Sequence, residues 1–84
     1  MNLVIIEDEK RAARRIEALL KEINPDLKVL SILSSVQEAK AWFDTNNLPD
    51  LIISDIQLGD GRAFEVLENV AGLPPVIFTT AYDE

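Results

Sequence analysis

The sequence contains no histidine and no cysteine, and these two gaps remove much of side-chain catalysis at once. Without an imidazole there is no Ser-His-Asp or Cys-His triad and no histidine general base. Without a thiol there is no disulfide framework, no thiolate nucleophile and no Cys-ligated structural zinc. Glycine (3) and proline (4) are scarce, and no stretch reads as a flexible linker or a low-complexity tract. Long apolar runs are missing too. Leu3-Val4-Ile5-Ile6 is as long as any, so a membrane span and a secretory signal are not expected and a cytoplasmic location is. Positive charge is in short supply, with 8 Lys plus Arg against 15 Asp plus Glu and a net charge of -7. That balance argues against nucleic-acid phosphates as a direct partner of this segment.

What is present is the composition of a globular domain, with 48% hydrophobic residues in 84. A domain of that size buries only roughly 60–65% of its unfolded surface, so its stability margin is expected to be thin. The charge is uneven. Residues 1–22 hold five basic and five acidic side chains, and residues 23–84 hold three basic and ten acidic ones. Leu3-Val4-Ile5-Ile6 is apolar at every position, which suits a strand buried on both faces. A helix is expected from about Glu9 to Ile23, with Ala12, Ile16, Leu19, Leu20 and Ile23 on its packed face, ended by Asn24-Pro25-Asp26. Val29–Leu33 reads as a second strand. Ser35-Val36-Gln37-Glu38 fits a capping box, opening a helix whose stripe is Val36, Ala39 and Phe43, with Trp42 beside it. Leu51–Asp55 reads as a third strand, Gly59-Asp60-Gly61 as a turn into a short helix carrying Phe64, Leu67 and Val70, and Val76–Thr80 as a fourth strand.

Strands alternating with helices imply right-handed crossovers and a parallel sheet with helices on both faces. In such sheets, ligand chemistry gathers beyond the carboxyl ends of the strands. Glu7 and Asp8 follow the first strand, Asp55 closes the third, and Thr80-Ala81 follow the fourth. Three carboxylates on one sheet edge repel; two about 4 Å apart cost roughly 4 kcal/mol at an effective dielectric near 20. A hard divalent cation resolves that repulsion, and an all-oxygen site suits Mg²⁺. The plainer reading is that Glu7 and Asp8 cap the first helix and Asp55 caps a turn. Gly59-Asp60-Gly61-Arg62-Ala63-Phe64 begins like a dinucleotide fingerprint, but Phe64 fills the third glycine position. As a calcium loop the stretch fails, because Gln57 and Gly59 stand where acids are needed and Val66 where the bidentate Glu belongs. Lys10, Arg11, Arg14 and Arg15 read as a solvated helix face, and Tyr82 is ambiguous between a site residue and a bystander.

Three segments together resemble a known family. Leu3–Glu9, Asp50–Leu58 and Val76–Tyr82 are similar to response-regulator receiver domains of two-component signalling, and Asp55-Ile56-Gln57-Leu58 with Thr80–Glu84 resembles the LytTR-type subfamily. The resemblance runs over residues 1–84 in order. It implies a flavodoxin-like, three-layer α/β fold with a parallel sheet, incomplete because the fifth strand and its flanking helices are absent. It makes Asp55 the phosphoacceptor. Mg²⁺ is then held by Asp8, by Glu7 through water, by Asp55, and by the backbone carbonyl of Gln57. Thr80 becomes the switch hydroxyl, and the small Ala81 leaves phosphate access. The family's usual lysine at the end of the fifth strand has no counterpart here.

The function implied is a phosphoacceptor, not a turnover enzyme, that takes its phosphoryl group from a sensor histidine kinase. It would switch an output such as LytTR-type DNA binding in transcription regulation, with DNA met only through an output domain outside this chain. Two alternatives stand beside it: a non-phosphorylated receiver-like interaction or dimerisation module, and a Mg²⁺-dependent phosphohydrolase. A homodimer is also expected, joined along the Val76-Ile77-Phe78 edge or the helical face near Ile16, Leu19 and Leu20.

Overall fold

In the computed structural model, which describes residues 1–79, the chain runs through β1 (Asn2–Ile6), α1 (Lys10–Ile23), β2 (Lys28–Leu33), α2 (Val36–Thr45), β3 (Leu51–Asp55), β4 (Gln57–Leu58), β5 (Gly61–Arg62), α3 (Phe64–Leu67) and β6 (Val76–Thr79). Four strands form a parallel sheet in the order β2-β1-β3-β6. The fold is a three-layer α/β arrangement with three helices among the described residues, an incomplete flavodoxin-like receiver fold. The two strands with unbroken apolar runs, β1 (Leu3–Ile6) and β3 (Leu51–Ile53), take the central places, where both faces are covered.

Each face of the sheet has its own core. On one, Val4, Ile6 and Ile52 pack with Val36 and Ala39 of α2, with Leu58, and with Val66 and Leu67 of α3. On the other, Leu3, Ile5 and Ile53 pack against Ala13 of α1, with Ile16 and Leu20 beside them. Successive residues of β1 and β3 thus alternate between the two cores, as the period of two along a strand requires.

The stripe expected on α1 is partly wrong. Ala13 is its buried residue, while Leu19 is 52% and Ile23 78% exposed. An apolar 3–4 spacing shows which side of a helix can pack, not how much of that side a neighbour covers. The same correction applies to α3, which is one turn long: Val66 and Leu67 are buried and Phe64 is 48% exposed. The stripe on α2 is as expected, with Val36 and Ala39 buried and Phe43 and Trp42 packed at its margin.

The start of α2 accounts for every donor of its first turn. Ser35 is the N-cap, its Oγ accepting from the Glu38 N–H at 2.9 Å. The Glu38 carboxylate accepts from the N–H and the hydroxyl of Ser34, at 2.7 and 2.8 Å. The reciprocal arm of the capping box therefore reaches one residue further back than the usual form, which closes on the N-cap itself. Ala39 N–H donates to the Ser35 carbonyl at 3.0 Å. The remaining two donors, Val36 and Gln37 N–H, are taken by the carboxylate of Asp60, at 2.8 and 3.1 Å. Among the described residues, no helix is long and apolar enough to cross a membrane.

Candidate functional site

The register of the central strands sets the site. Leu3 pairs with Leu51 and Ile6 with Ser54, so Glu7, the next residue on, leaves the sheet level with Asp55. Glu7 is still tied to the sheet by its backbone, whose N–H donates to the Leu33 carbonyl at 2.9 Å. Its side chain is buried, at 8% exposure, and its carboxylate accepts from the Glu9 N–H at 3.2 Å. Asp8 is exposed and Asp55 half-buried. Asp55 Oδ1 accepts from the Ile56 N–H at 2.8 Å, and its carbonyl accepts from the Ser54 hydroxyl at 2.7 Å. One carboxylate oxygen from each of Glu7, Asp8 and Asp55 lies within 4.8 Å of the others.

Electrostatics confirm that the cluster is crowded. Burial pushes the Glu7 carboxyl above its ordinary 4.5, the Glu9 N–H partly opposes the rise, and the charges of Asp55 and Asp8 add to it. A cation would relieve both the desolvation and the repulsion. The donor set fits one of the Mg²⁺ or Ca²⁺ type: oxygen only, two acids from one loop and a third from the neighbouring strand. The residues expected to meet here therefore do meet. The plainer reading, in which Glu7 and Asp8 cap the first helix and Asp55 a turn, keeps its own contacts: Glu7 accepts from the N–H of Glu9, the N-cap residue of α1, and Asp55 accepts from Ile56 N–H.

The other expected site residues divide. Gln57 is exposed and opens β4, which pairs antiparallel with β5 in the register Gln57↔Arg62 and Leu58↔Gly61. The segment expected to be only a turn is thus a short hairpin with Gly59 and Asp60 at its tip. Thr80, Ala81 and Tyr82 lie outside the described residues. Thr79, just before them, pairs with Asp55. With Asp55, Glu7 and Arg15 it lines a groove of about 380 Å³ beside the cluster. Sequence reasoning missed two residues: Arg15 at this groove, and Asp60, whose partners stand 24 and 23 residues earlier. No local signal marks such a contact. The Asp-Gly pair after an acid-ended strand marks only the turn.

Comparison with known proteins places this geometry. A family model described as the response regulator receiver domain matches residues 3–84. A sensory transduction protein LytT of Bacillus anthracis is 29% identical over 87 aligned positions, covering all of this chain and 35% of that protein. The crystal structure of the response regulator PhyR from Brucella abortus superposes with a TM-score of 0.82 at 32% identity, over 96% of this chain and 33% of that one. The anti-anti-sigma factor PhyR from Bartonella quintana, solved in complex with the anti-sigma factor NepR, is 33% identical over 99% of this chain and 35% of its own, with a TM-score of 0.75. The chain spans about a third of the length of these relatives. The last of them corrects the partner expected above. The protein held by this solved relative is an anti-sigma factor, so the partner set built on a sensor histidine kinase, with a second copy of this chain, is withdrawn. The acid cluster could hold a cation; it carries no information about which protein meets the fold.

Proposed function

This chain belongs to the response regulator receiver domain family, and from there we propose that it is a signalling module whose output is contact with another protein. A regulator of transcription, in the manner of an anti-sigma factor, is the class of partner that best supports this reading. The observation that carries it is the complex formed by the Bartonella quintana relative. Receiver domains are signalling modules and not turnover enzymes, so the phosphohydrolase alternative is dropped. Mixing the purified chain with the anti-sigma factors encoded in its own genome tests the proposal. A one-to-one complex in native mass spectrometry supports it, and failure of every candidate at tens of micromolar refutes it.

The acid cluster favours a second reading, in which contact is controlled at Asp55. Asp55 would be the phosphoacceptor, with Mg²⁺ held by Glu7, Asp8, Asp55 and the Gln57 carbonyl. When bound, the cation neutralises the oxygens of an incoming phosphoryl group. A carboxylate oxygen of Asp55 forms the new O–P bond while the donor leaves with the electron pair of the bond that breaks. The hydrogen bond from Ile56 N–H to Oδ1 leaves Oδ2 as the freer nucleophile. Thr80 and Ala81 are proposed as the switch hydroxyl and the access residue. Relatives named sensory transduction protein LytT support a LytTR-like placement, for which a transcriptional output is proposed.

Incubating the chain with Mg²⁺ and a small phosphodonor such as phosphoramidate decides between the readings. One phosphoryl group on Asp55 in an alkali-labile linkage supports phosphorylation. An unmodified chain that still binds its partner leaves the module as a constitutive contact surface.

A further inference from the structure

We propose that Asp60 is a positioning residue for the cation site, tying the β4–β5 hairpin to the N-terminus of α2 so that occupancy of the acid cluster is felt at that helix. The inference rests on the reading of Glu7, Asp8 and Asp55 as a cation site. It concerns a residue that touches none of the three carboxylates through a hydrogen bond and acts through the backbone between them.

The hairpin leaves the sheet directly after Asp55. At its base, Ile56 N–H donates to Asp55 Oδ1 at 2.8 Å, and the Ile56 carbonyl accepts from Ala63 N–H at 3.0 Å. In the middle, Leu58 is buried at 3% exposure. At its tip, Gly59 lies against the site from the far side: a Cβ built there would stand 3.6 Å from Asp8 Oδ2. Beside it, Asp60 reaches away from the site and holds Val36 and Gln37 N–H at 2.8 and 3.1 Å. The hairpin therefore bonds one site acid at its base and passes close to another at Gly59, while Asp60 fixes it to a helix.

Two paired residues on each side do not make a ribbon that is stable by itself, so the placement of the tip depends on what grips it. α2 already has a local cap in Ser35 and a reciprocal acid in Glu38. A helix that needed only a cap is served by those. The two donors left over are closed by a carboxylate from the loop of the site, which joins the acid cluster to α2 in one rigid path. Mg²⁺ demands near-octahedral oxygen placement, so a hairpin free to drift alters the placement of the Gln57 carbonyl, which it carries, relative to Asp55.

Calorimetric titration with MgCl2 tests this on the whole chain. Asp60→Asn and Asp60→Ala are each expected to raise the Mg²⁺ Kd by up to about tenfold, because losing a direct outer partner of a metal ligand costs about 10–100-fold and Asp60 acts one step further out. Asp50→Asn removes the same charge at the other end of the sheet, where Asp50 accepts from Asn2 N–H at 2.8 Å, and is expected to leave Kd unchanged. Mg²⁺ is expected to slow hydrogen exchange at Val36 and Gln37 in the wild type and not in Asp60→Asn. A role confined to capping lowers the melting temperature of the Asp60 variants without moving Kd, and that result overturns the proposal. So does exchange at Val36 and Gln37 that ignores Mg²⁺ in the wild type. If the alanine variant does not fold, the asparagine variant, which keeps one acceptor oxygen, carries the test. A wild type that gives no Mg²⁺ binding overturns the cation-site reading itself, and is told apart because it shows before any substitution is made.

Discussion

Replacing Glu7 with glutamine should stabilise the protein at neutral pH when no divalent cation is present. The reason is local. Glu7 is buried, and its nearest carboxylate oxygens, on Asp8 and Asp55, fall within 4.8 Å. Each unit-charge pair at that distance repels by about 1 kcal/mol in water and about 3 kcal/mol at an effective dielectric near 20. Glutamine keeps an oxygen to accept the Glu9 N–H and removes both repulsions and the cost of burying a charge. A net gain of about 1 kcal/mol, the lower figure, raises the melting temperature by about 4–8 °C in a domain of this size. The pH dependence has a definite sign. Because burial and the neighbouring charges raise the folded-state pKa of Glu7 above 4.5, the fold holds this proton more tightly than the unfolded chain does. The stability from that proton is complete below the unfolded value and is lost as pH rises through the raised one. The advantage of Glu7→Gln should therefore appear above that window and fade below pH 4.5. Thermal melts followed by circular dichroism in EDTA, at pH 7.5 and pH 4, measure it. Millimolar MgCl2 should then narrow the difference by stabilising the wild type more than the variant. If Glu7→Gln melts at or below the wild type at pH 7.5 in EDTA, the cluster is not the seat of repulsion described here and the argument for a cation loses its electrostatic basis.

Three further substitutions probe how the site is held. Gly61 has φ of 151°, and a Cβ there would meet Glu65 Oε2 at 2.8 Å; Gly61→Ala should destabilise by more than about 1 kcal/mol in urea titration, and an unaffected midpoint would contradict the hairpin geometry. Ser35→Ala removes the local cap of α2 and should cost about 1 kcal/mol without changing Mg²⁺ affinity, which separates the local cap from the one supplied by Asp60. Leu58→Ala should cost about 2–5 kcal/mol and, because Leu58 anchors the hairpin, weaken Mg²⁺ binding as well; a stability loss with Mg²⁺ affinity intact would detach the core from the site.

Much of the fold can be read directly in the sequence because the two central strands are built on unbroken apolar runs. Leu3–Ile6 and Leu51–Ile53 are apolar throughout, and such runs suit strands with both faces covered. What periodicity does not carry is the extent of coverage. The 3–4 spacing points to Ala12 as the packed residue of α1, and only the position of the helix over β1 and β3 makes Ala13 the buried one instead. Leu19 and Ile23 continue the stripe beyond the described surface that could bury them. The β4–β5 hairpin was hidden for a different reason. Gln57, Leu58, Gly61 and Arg62 show no alternation long enough to signal strands, and their pairing follows from the grip of Asp60 and the burial of Leu58.

The acid cluster is legible because strand length and register are themselves written in the chain. β1 and β3 begin flush, Leu3 opposite Leu51, and each runs the same number of residues to its acid, so Glu7 and Asp55 emerge at one height. A slip of one residue would turn every side chain of a strand to the other face and place Ile6 or Glu7 against the wrong core, so the two apolar faces enforce the register that brings the acids together. The repulsion among those acids is thus imposed by the same burial that stabilises the sheet. It cannot relax by moving a strand, and two outlets remain: protonation, which the raised pKa of Glu7 makes easier, or a cation. The groove beside Thr79 opens the cluster to solvent, and the hairpin that Asp60 secures to α2 closes its other side. An acid cluster locked by core packing, open on one flank and tethered to a helix on the other, converts a change of local charge into a change at that helix.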